Sequence, residues 1–430
     1  MDRKEKYEAY KKKDILYNRG RLINSCEELK YLLDNPKAAE IIAQHSLNDI
    51  LTYATTFSKF YKPYNGFSNL QDFPIINKEV MKKNWEEIIV NEYADCTDNK
   101  IKYTSGSTGT PFKIVMDRYK HCRWIAGNKV FRDNVGVPSH TRTVYISGTV
   151  EDKKIPKERM EEDNVFYLDC KYFDENTMHE LIEYLEKNKI NTMTATASFL
   201  DGLARFIQSG NANKWKGKFI AVFSVSETLK KTTRKVISDF FDCPVYVLYA
   251  NEENGVLAVE DGTPWGCRAN NVDFFFEVLE MDSDKPAKDG EVGRLVITDF
   301  YNKVVPIIRY ENGDLVSKVT LDDGRVYIKE IMGRKVDTLY TTDGKMVHYF
   351  NSISFLEPFL DIKQFQLIQY DYHNFKWILN TENHSYEDYI VTECKKLFGK
   401  DSNWKFEYVK EIPKLRSGKF RMTVCLIEKE

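Results

Sequence analysis

Hydrophobic and polar positions along the chain follow two different periods, and the change from one to the other divides the sequence. Up to about residue 270, segments with apolar residues at helical spacing alternate with short, uniformly apolar runs. Helices that alternate with buried strands are typical of a parallel sheet covered on both faces. The predicted strands are 143–146, 192–195, 219–223 and 245–249, and the predicted helices are 27–33, 38–50, 78–85, 119–131, 177–187, 199–208 and 229–241.

From residue 271 the pattern changes to strands separated by Asp-Gly or Gly-Asp pairs, which are typical of hairpin turns. We interpret residues 271–333 as an antiparallel, β-barrel-like subdomain. The expected strands are 272–280, 293–298 and 315–328, with turns at 289–290, 313–314 and 323–324.

The last part of the chain mixes both periods again, so it is expected to form a small α+β unit. Its expected elements are strands near 364–370, 375–380 and 404–409, a turn at 343–344 and a helix at 386–397. The whole pattern predicts an α/β fold with two domains. A large N-terminal domain of mixed parallel sheets flanked by helices spans residues 1–334, and a small α+β C-terminal domain spans residues 335–430.

Composition narrows the function classes. The chain has 430 residues, 42% of them hydrophobic, which is enough for more than one core. The formal net charge is −2, so no strong basic field favours nucleic acid as a partner. Eight scattered cysteines without Cys-x-x-Cys spacing argue against a zinc ribbon or a disulfide framework. Neither a signal peptide nor a transmembrane run is apparent, so we expect a reducing, cytoplasmic setting with free thiols.

One polar segment, residues 103–111, lies between two short β-like runs and alternates hydroxyl side chains with glycine. Gly106 and Gly109 let the backbone turn its N–H groups toward one point, and such a concave row binds anions. Lys113 follows with a positive charge. The hydroxyl donors of the segment are Ser105, Ser107, Thr108 and Thr110. We interpret it as a loop that grips a polyphosphate, with a polar linker as the alternative. The absence of Gly-Lys-Ser/Thr argues against an ordinary Walker loop.

Four further segments carry charge at places where ligands bind. Glu252 and Glu253 follow a hydrophobic strand directly, where one carboxylate is placed to hold Mg²⁺ together with substrate phosphates. Asp314 is placed to accept the hydroxyls of a ribose. Arg334 lies at the boundary between the β-rich segment 271–333 and the mixed C-terminal part. Lys419 follows a Ser-Gly turn and can stabilise charge on a reacting phosphate. The alternatives are a solvated acidic turn, an ordinary Gly-Asp turn and a solvated basic tail.

Together and in this order, these segments resemble the adenylate-forming superfamily of acyl-CoA synthetases, nonribosomal peptide adenylation domains and luciferases. The resemblance is greatest to the phenylacetate–CoA ligase branch and its CapK-like relatives from capsule biosynthesis. It spans roughly residues 70 to 421 and includes residues 73–78, which are similar to a Leu-Pro-x-x-x-Lys segment of that branch.

The resemblance implies a role for each matching position. Ser105 to Gly109 would close over ATP, with Thr108 and Lys419 needed for adenylation and Glu253 coordinating Mg²⁺. Val336 falls at the hinge about which a mobile C-terminal domain rotates. Other nucleotide-binding positions are Thr110, Lys113, Ser226, Glu227, Tyr249, Ala250, Asn251, Glu252, Asp314 and Arg334. The acid pocket is expected at Thr196, Ser198, Phe223, Ser224 and Asn254, whose hydroxyls favour a polar or modest-sized acid.

The implied reaction has two halves. A small carboxylic acid attacks ATP to form an acyl-adenylate and pyrophosphate, and the acyl group then passes to a thiol, for which CoA is the first expectation. An amine, for example on an amino sugar of a polysaccharide, or a carrier-protein thiol is the alternative acceptor. Ala250, Ser226, Glu252 and Val336 depart from the family pattern. The departures at Glu252 and Val336 leave a catalytically silent nucleotide-binding or interaction protein as a further alternative. The oligomeric state is expected to be a monomer or a homodimer.

Overall fold

The computed structural model describes residues 2–90, 96–104, 112–147, 155–169, 175–335, 338–347, 354–356, 359, 361–413 and 422–427. Its α-helices are α1 Arg3–Asn18, α2 Arg21–Asp34, α3 Pro36–Phe57, α4 Lys78–Lys83, α5 Trp85–Ile88, α6 Arg118–Asn134, α7 Lys157–Asp163, α8 Glu175–Lys187, α9 Ala197–Gln208, α10 Lys231–Phe241 and α11 Glu387–Phe398.

The strands are β1 Lys100–Thr104, β2 Phe112–Met116, β3 Thr143–Ser147, β4 Val165–Asp169, β5 Thr192–Thr196, β6 Ala221–Val225, β7 Val245–Asn251, β8 Gly255–Glu260, β9 Cys267–Ala269, β10 Phe274–Leu279, β11 Val292–Asp299, β12 Tyr310–Thr320, β13 Val326–Arg334, β14 Leu339–Tyr340, β15 Met346–Val347, β16 Gln364–Gln369, β17 Asn374–Asn380, β18 Asn403–Tyr408 and β19 Thr423–Cys425.

An eleven-stranded mixed sheet organises the larger part of the molecule, in the order β10-β11-β12-β13-β9-β8-β7-β6-β5-β3-β4. Strands β3 to β7 pair in parallel, and from β7 to β10 every pairing is antiparallel. In the parallel half the chain first moves outward from β3 to β4 and then builds β5, β6 and β7 on the other side. Such a reversal of direction opens a crevice at the carboxyl ends of the strands, where ligands of α/β sheets bind.

Helices cover both faces of the parallel half, as the sequence predicts. Successive side chains of a strand point to opposite faces. Met193 and Val222 pack with α8, α9 and α10, whereas Phe223 and Leu248 pack with α2 and α6. The prediction of an α/β sheet flanked by helices is therefore confirmed.

The antiparallel half differs from the predicted subdomain in two respects. Its strands continue the parallel half through β8 and β9 in one sheet, and among the described strands β10 stands at an edge and closes no ring. The turn predicted at 313–314 is wrong, because Gly313 and Asp314 lie inside β12. Gly313 has φ +85°, and the pairing of β12 with β11 shifts register across it. A left-handed glycine here produces an irregular strand instead of a reversal of the chain.

The C-terminal part has a sheet and a core of its own. Its strands follow the order β18-β17-β16-β19, and α11 lies between β17 and β18 along the chain. Trp377, Phe375 and Phe398 are fully buried in this separate core. Gly344 turns the chain between β14 and β15 with φ +83°, as predicted. The predicted α+β character is confirmed, while the boundary at 334–335 stays a prediction.

Two properties of the described residues bear on the setting of the protein. None of the helices that the structure describes combines the length and the apolar character needed to cross a bilayer. The seven cysteines within the described ranges are all free.

Candidate nucleotide and acid site

The β1–β2 hairpin holds the predicted phosphate loop by both ends. Thr104 pairs with Phe112 across the two strands, so the two ends of the connecting segment lie beside each other. Lys113 is exposed and pairs with Tyr103. Six predicted residues of the loop lie outside the described ranges, as do Val336 and Lys419, and their roles stay predictions. The six are Ser105, Gly106, Ser107, Thr108, Gly109 and Thr110.

A hydrogen-bonded network joins the end of β7 to β12 and β13. The Tyr249 hydroxyl donates to Asp314 Oδ2 at 2.5 Å, and Asn312 Nδ2 donates to the same oxygen at 2.8 Å. Arg334 Nε lies 2.9 Å from Asp314 Oδ1, and Arg334 Nη1 donates to the Asn312 carbonyl oxygen at 2.7 Å. Three predicted nucleotide-binding residues are thus in direct contact, and Asn312 connects them.

Asp314 and Arg334 differ in their exposure to solvent. The Arg334 side chain is 50% exposed, while that of Asp314 is 10% exposed. Burial, followed by the charge of Asp314, raises the pKa of Tyr249 well above its ordinary value, so its hydroxyl remains a donor. The charge of Asp314 likewise raises the pKa of Arg334. Among the described residues, Asp314 Oδ2 is therefore held by Tyr249 and Asn312, and Oδ1 faces the exposed Arg334.

Glu253 lies beside this network, in the turn after β7. The Tyr310 hydroxyl donates to Glu253 Oε1 at 3.2 Å. Burial raises the pKa of Glu253, against the opposing effects of Arg334, the Tyr310 hydrogen bond and Lys78. A carboxylate whose charged form is disfavoured by burial gains stability from a cation that arrives with a ligand.

The residues fit a magnesium ion that is held jointly with phosphate. Among the described residues no group of three or more His, Cys, Asp or Glu side chains could hold a metal. Mg²⁺ keeps several waters and is usually bound by one or two carboxylates plus substrate phosphates. Glu253 is a single carboxylate of the required kind. The site therefore suits an ion that is shared with substrate phosphates, and not an ion enclosed by protein ligands alone.

Glu252 points away from Glu253 and faces the hairpin. Its side chain is 52% exposed, and one oxygen lies 4.0 Å from Lys102 Nζ on β1. Lys102 also lies over the ring of Trp124, 4.3 Å from the centroid. The additional negative charge that departs from the family pattern therefore has a cation beside it.

The rest of the β7–β8 turn is tightly packed. Ala250 is exposed, and Asn251 Oδ1 accepts from the Asn254 backbone N–H at 2.8 Å. The Asn254 side chain is fully buried, and neither of its polar atoms has a hydrogen-bond partner in the described part of the chain. Gly255 has φ +106°, and a Cβ built there would lie 2.5 Å from Trp124 Cδ1. Only glycine lets the chain pass between Asn254 and the tryptophan ring.

Ser226 and Glu227 follow β6 and contact the start of α9. Ser226 is exposed with φ +72°, and Glu227 Oε2 accepts from the Ser198 backbone N–H at 2.8 Å. Thr196 Oγ1 accepts from the Phe199 N–H at 3.3 Å, and it lies 3.2 Å from Ser198 Oγ. These contacts cap a helix N-terminus. The structure thus brings Thr196, Ser198 and Glu227 together, and their predicted roles toward ligands stay predictions.

Phe223 and Ser224 are neighbours in β6 and therefore point to opposite faces of the sheet. Phe223 lies on the face covered by α6, together with Thr194 on β5. Ser224 is fully buried on the other face, and its hydroxyl has no partner. The five predicted acid-pocket residues are thus not all brought to one surface.

Sequence reasoning missed four residues that the structure places at or near the site. Tyr310 and Asn312 precede Asp314 in alternate positions of β12, which would have marked them once the segment was read as a strand. Trp124 and Arg132 lie on α6, and helical spacing alone cannot separate them from ordinary core or surface residues.

Comparison with known proteins supports the same assignment of fold. A family model described as the CapK C-terminal domain matches residues 339–425. Protein CapK of Staphylococcus aureus is 26% identical over 426 residues, covering 93% of this chain and 91% of that protein.

Solved structures of CoA ligases share this fold over most of the chain. 2-Hydroxyisobutyryl-CoA ligase in the postadenylation state with R3-HIB-AMP has a TM-score of 0.69 at 14% identity, with 90% of each chain covered. ATP-bound MatB from Rhodopseudomonas palustris has a TM-score of 0.53 at 15% identity, covering 75% of this chain and 65% of that one. The chain therefore has the fold of these ligases, and its resemblance to the adenylate-forming superfamily and its CapK-like branch, which the motifs predict, is confirmed.

Proposed function

We propose that this protein uses ATP to activate a small carboxylic acid as an acyl-adenylate and then transfers the acyl group to a thiol, with CoA as the expected acceptor. The observation that carries the proposal is the meeting of Tyr249, Glu253, Asp314 and Arg334 at one edge of the sheet, next to the hairpin of the phosphate loop. The fold and the CapK resemblance support it.

The network suits a nucleoside. A ribose hydroxyl that approaches Asp314 would compete with the exposed Arg334 for Oδ1, while the buried Tyr249 and Asn312 keep Oδ2 in place. Arg334 would then be free to turn toward a phosphate. The carboxylate is held in position before the ligand arrives, which reduces the cost of ordering it on binding.

Electrostatics explain the remaining residues. An attacking carboxylate and a triphosphate repel each other, and the reaction places further charge on the leaving pyrophosphate. The N–H groups of the loop Ser105–Gly109 and the ammonium of Lys419 are proposed to offset this charge. Glu253 would hold Mg²⁺, which when bound neutralises phosphate oxygens. No protein nucleophile is needed, because positioning and charge stabilisation perform the chemistry.

Product analysis tests the proposal and its acceptor. The protein is incubated with ATP, Mg²⁺ and a panel of aryl, fatty, hydroxy and dicarboxylic acids, with CoA, with an amino sugar or without an acceptor. Acid-dependent AMP and pyrophosphate with an acyl-CoA product would support the proposal as stated. An acyl-adenylate that reacts only with the amine, or only with a carrier-protein thiol, would replace CoA as acceptor. ATP binding without turnover of any acid would favour the silent nucleotide-binding alternative.

A further inference from the structure

Arg132 is a buried cation in the face of the sheet that α6 covers. It lies in the last turn of the helix and is 6% exposed. Its guanidinium carbon is 4.2 Å from the ring centroid of Phe223 and 5.4 Å from that of Tyr145. Tyr145, Thr194 and Phe223 lie side by side on adjacent strands. The guanidinium therefore rests on the middle of the parallel half of the sheet.

Its hydrogen bonds are incomplete. Nε donates to Asn128 Oδ1 at 2.8 Å and Nη2 donates to Thr194 Oγ1 at 2.9 Å, whereas Nη1 is buried with no partner among the residues that the structure describes. Both partners are neutral, and no ion pair joins Arg132 to an acidic side chain in the described ranges of the chain. Burial lowers the pKa of Arg132, and among the neighbouring groups only Tyr145 opposes this effect.

A buried guanidinium with an unsatisfied donor is energetically unfavourable unless a bound partner completes its hydrogen bonds. Buried charges in proteins are paired, and a buried donor without a partner is destabilising, more so when the group is charged. Contact with two aromatic rings recovers part of that loss for a desolvated cation. The rings explain where the guanidinium rests, but they provide neither a counter-charge nor an acceptor for Nη1.

Other polar groups without partners lie along the same side of α6. Trp124, Asn128 and Arg132 follow each other at intervals of four residues, so they share one side of the helix. Trp124 Nε1 is buried without a partner, and Trp124 contacts Gly255 beside the unpaired Asn254 amide. At about 1.5 Å per residue, Trp124 and Arg132 are about 12 Å apart along the helix. Buried polar groups without a partner in the described ranges thus lie beside the Glu253 turn and at Arg132, along one side of α6.

We propose that Arg132 binds a second carboxylate of the acid substrate, so that the substrate class is a dicarboxylic acid. This inference rests on the proposed adenylating function. An anion is required because a hydroxyl would satisfy Nη1 but leave the charge of the guanidinium unpaired. A carboxylate fits this opening, because it can accept from the two N–H groups of Nη1 while Nε and Nη2 keep their hydrogen bonds to Asn128 and Thr194.

The test compares matched acids on the wild type and on Arg132→Met, which keeps an unbranched side chain but removes the charge. Dicarboxylic acids of three to six carbons are each paired with the monocarboxylic acid of the same length. Acid-dependent ATP–pyrophosphate exchange gives kcat/KM, and thermal shift with each acid alone reports binding without turnover. We expect wild type to prefer dicarboxylic acids, and Arg132→Met to lose about 10- to 100-fold of that preference.

Arg268→Met is the matched control. Arg268 is also buried, with an Nε that has no partner, but it lies on β9 in the antiparallel half. We expect this variant to keep the preference for dicarboxylic acids. If Arg132→Met fails to fold, Thr194→Val replaces it, since loss of the Thr194 hydroxyl removes one partner of the guanidinium and should weaken the preference several-fold.

The outcomes separate the inference from the function on which it rests. Turnover of monocarboxylic acids as well as dicarboxylic ones, unchanged in Arg132→Met, would overturn the inference and leave adenylation standing. If no acid is turned over, the adenylation proposal fails. Thermal stabilisation by dicarboxylic acids that disappears in Arg132→Met would then still support the site, and its absence would overturn it.

Discussion

At the residue scale, the two carboxylates of the site are prepared for different partners. Asp314 already has a cation, because Arg334 lies 2.9 Å from it. Glu253 accepts from the neutral Tyr310 hydroxyl, and burial raises its pKa. In the proposed function, Asp314 would accept ribose hydroxyls with its charge already balanced by Arg334, and a metal ion that arrives with the phosphates would stabilise the charged form of Glu253.

Tyr310→Phe tests the role of Glu253. The Tyr310 hydrogen bond favours the charged carboxylate, so its loss should raise the pKa of Glu253 further. A protonated carboxyl cannot hold a metal ion, and activity is lost as the pH falls through that pKa. We expect the acidic limb of the pH profile of kcat/KM to move to higher pH in Tyr310→Phe.

The matched control for this experiment is Tyr327→Phe. The Tyr327 hydroxyl donates to Asp261 at 2.9 Å, outside the hydrogen bonds described for Glu253, and Tyr327 is fully buried like Tyr310. Its loss should leave the acidic limb in place. An acidic limb that is the same in both variants would mean that Glu253 does not control it.

Sequence motifs identify some of these residues and not others, for a physical reason. Tyr249, Asp314 and Arg334 belong to motifs in which residue type and spacing report the chemistry. Arg132 belongs to no motif, because its meaning depends on which strands α6 packs against and on the absence of a charged partner. Only the tertiary structure shows that pairing.

At the scale of elements, the ends of the strands determine where the site lies. The predicted strands from 143 to 249 are found within a few residues, because central strands are buried on both faces and form plain apolar runs. β4 was missed because it is an edge strand in which Phe166 is the one fully buried side chain that the structure shows. β8 was missed because its apolar run directly follows the charged turn at Glu252 and Glu253.

Gly255→Ala tests the turn that joins β7 to β8. A side chain at φ +106° is strained by roughly 1–3 kcal/mol, and the Cβ must also displace Trp124. Gly262→Ala is the control, since its φ is +82° and nothing lies within 4 Å of the added Cβ. We expect a larger loss of unfolding free energy in Gly255→Ala by urea titration, together with weaker ATP binding. Equal losses in the two variants would mean that Trp124 does not constrain the turn.

At the scale of the whole molecule, the C-terminal part has a hydrophobic core separate from those of the larger part. The large sheet and its turns hold Tyr249, Glu253 and Asp314, while the C-terminal part packs around Trp377. The boundary predicted near 334–335 follows the last strand of the large sheet, β13. A separate core is what allows a unit to move without unfolding.

Trp377→Ala tests this independence. Trp377 is fully buried and its Nε1 donates to Cys394 Sγ at 3.4 Å. Its removal should cost about 3–5 kcal/mol of stability in the C-terminal part. We expect calorimetry to show an earlier transition for that part, while ATP still binds to the N-terminal part. A single lowered transition that takes ATP binding with it would show that the two parts fold as one unit.

The central claim is that the chain joins a carboxylic acid to AMP, and acid-dependent ATP–pyrophosphate exchange measures that step before any acceptor is involved. The comparison uses wild type, Lys419→Ala and the neighbouring Lys414→Ala, with ATP binding measured on each. The account predicts exchange that Lys419→Ala reduces by roughly 100-fold or more, with ATP binding and Lys414→Ala nearly unchanged. Bound ATP without exchange for any acid, or exchange that Lys419→Ala leaves intact, would contradict it.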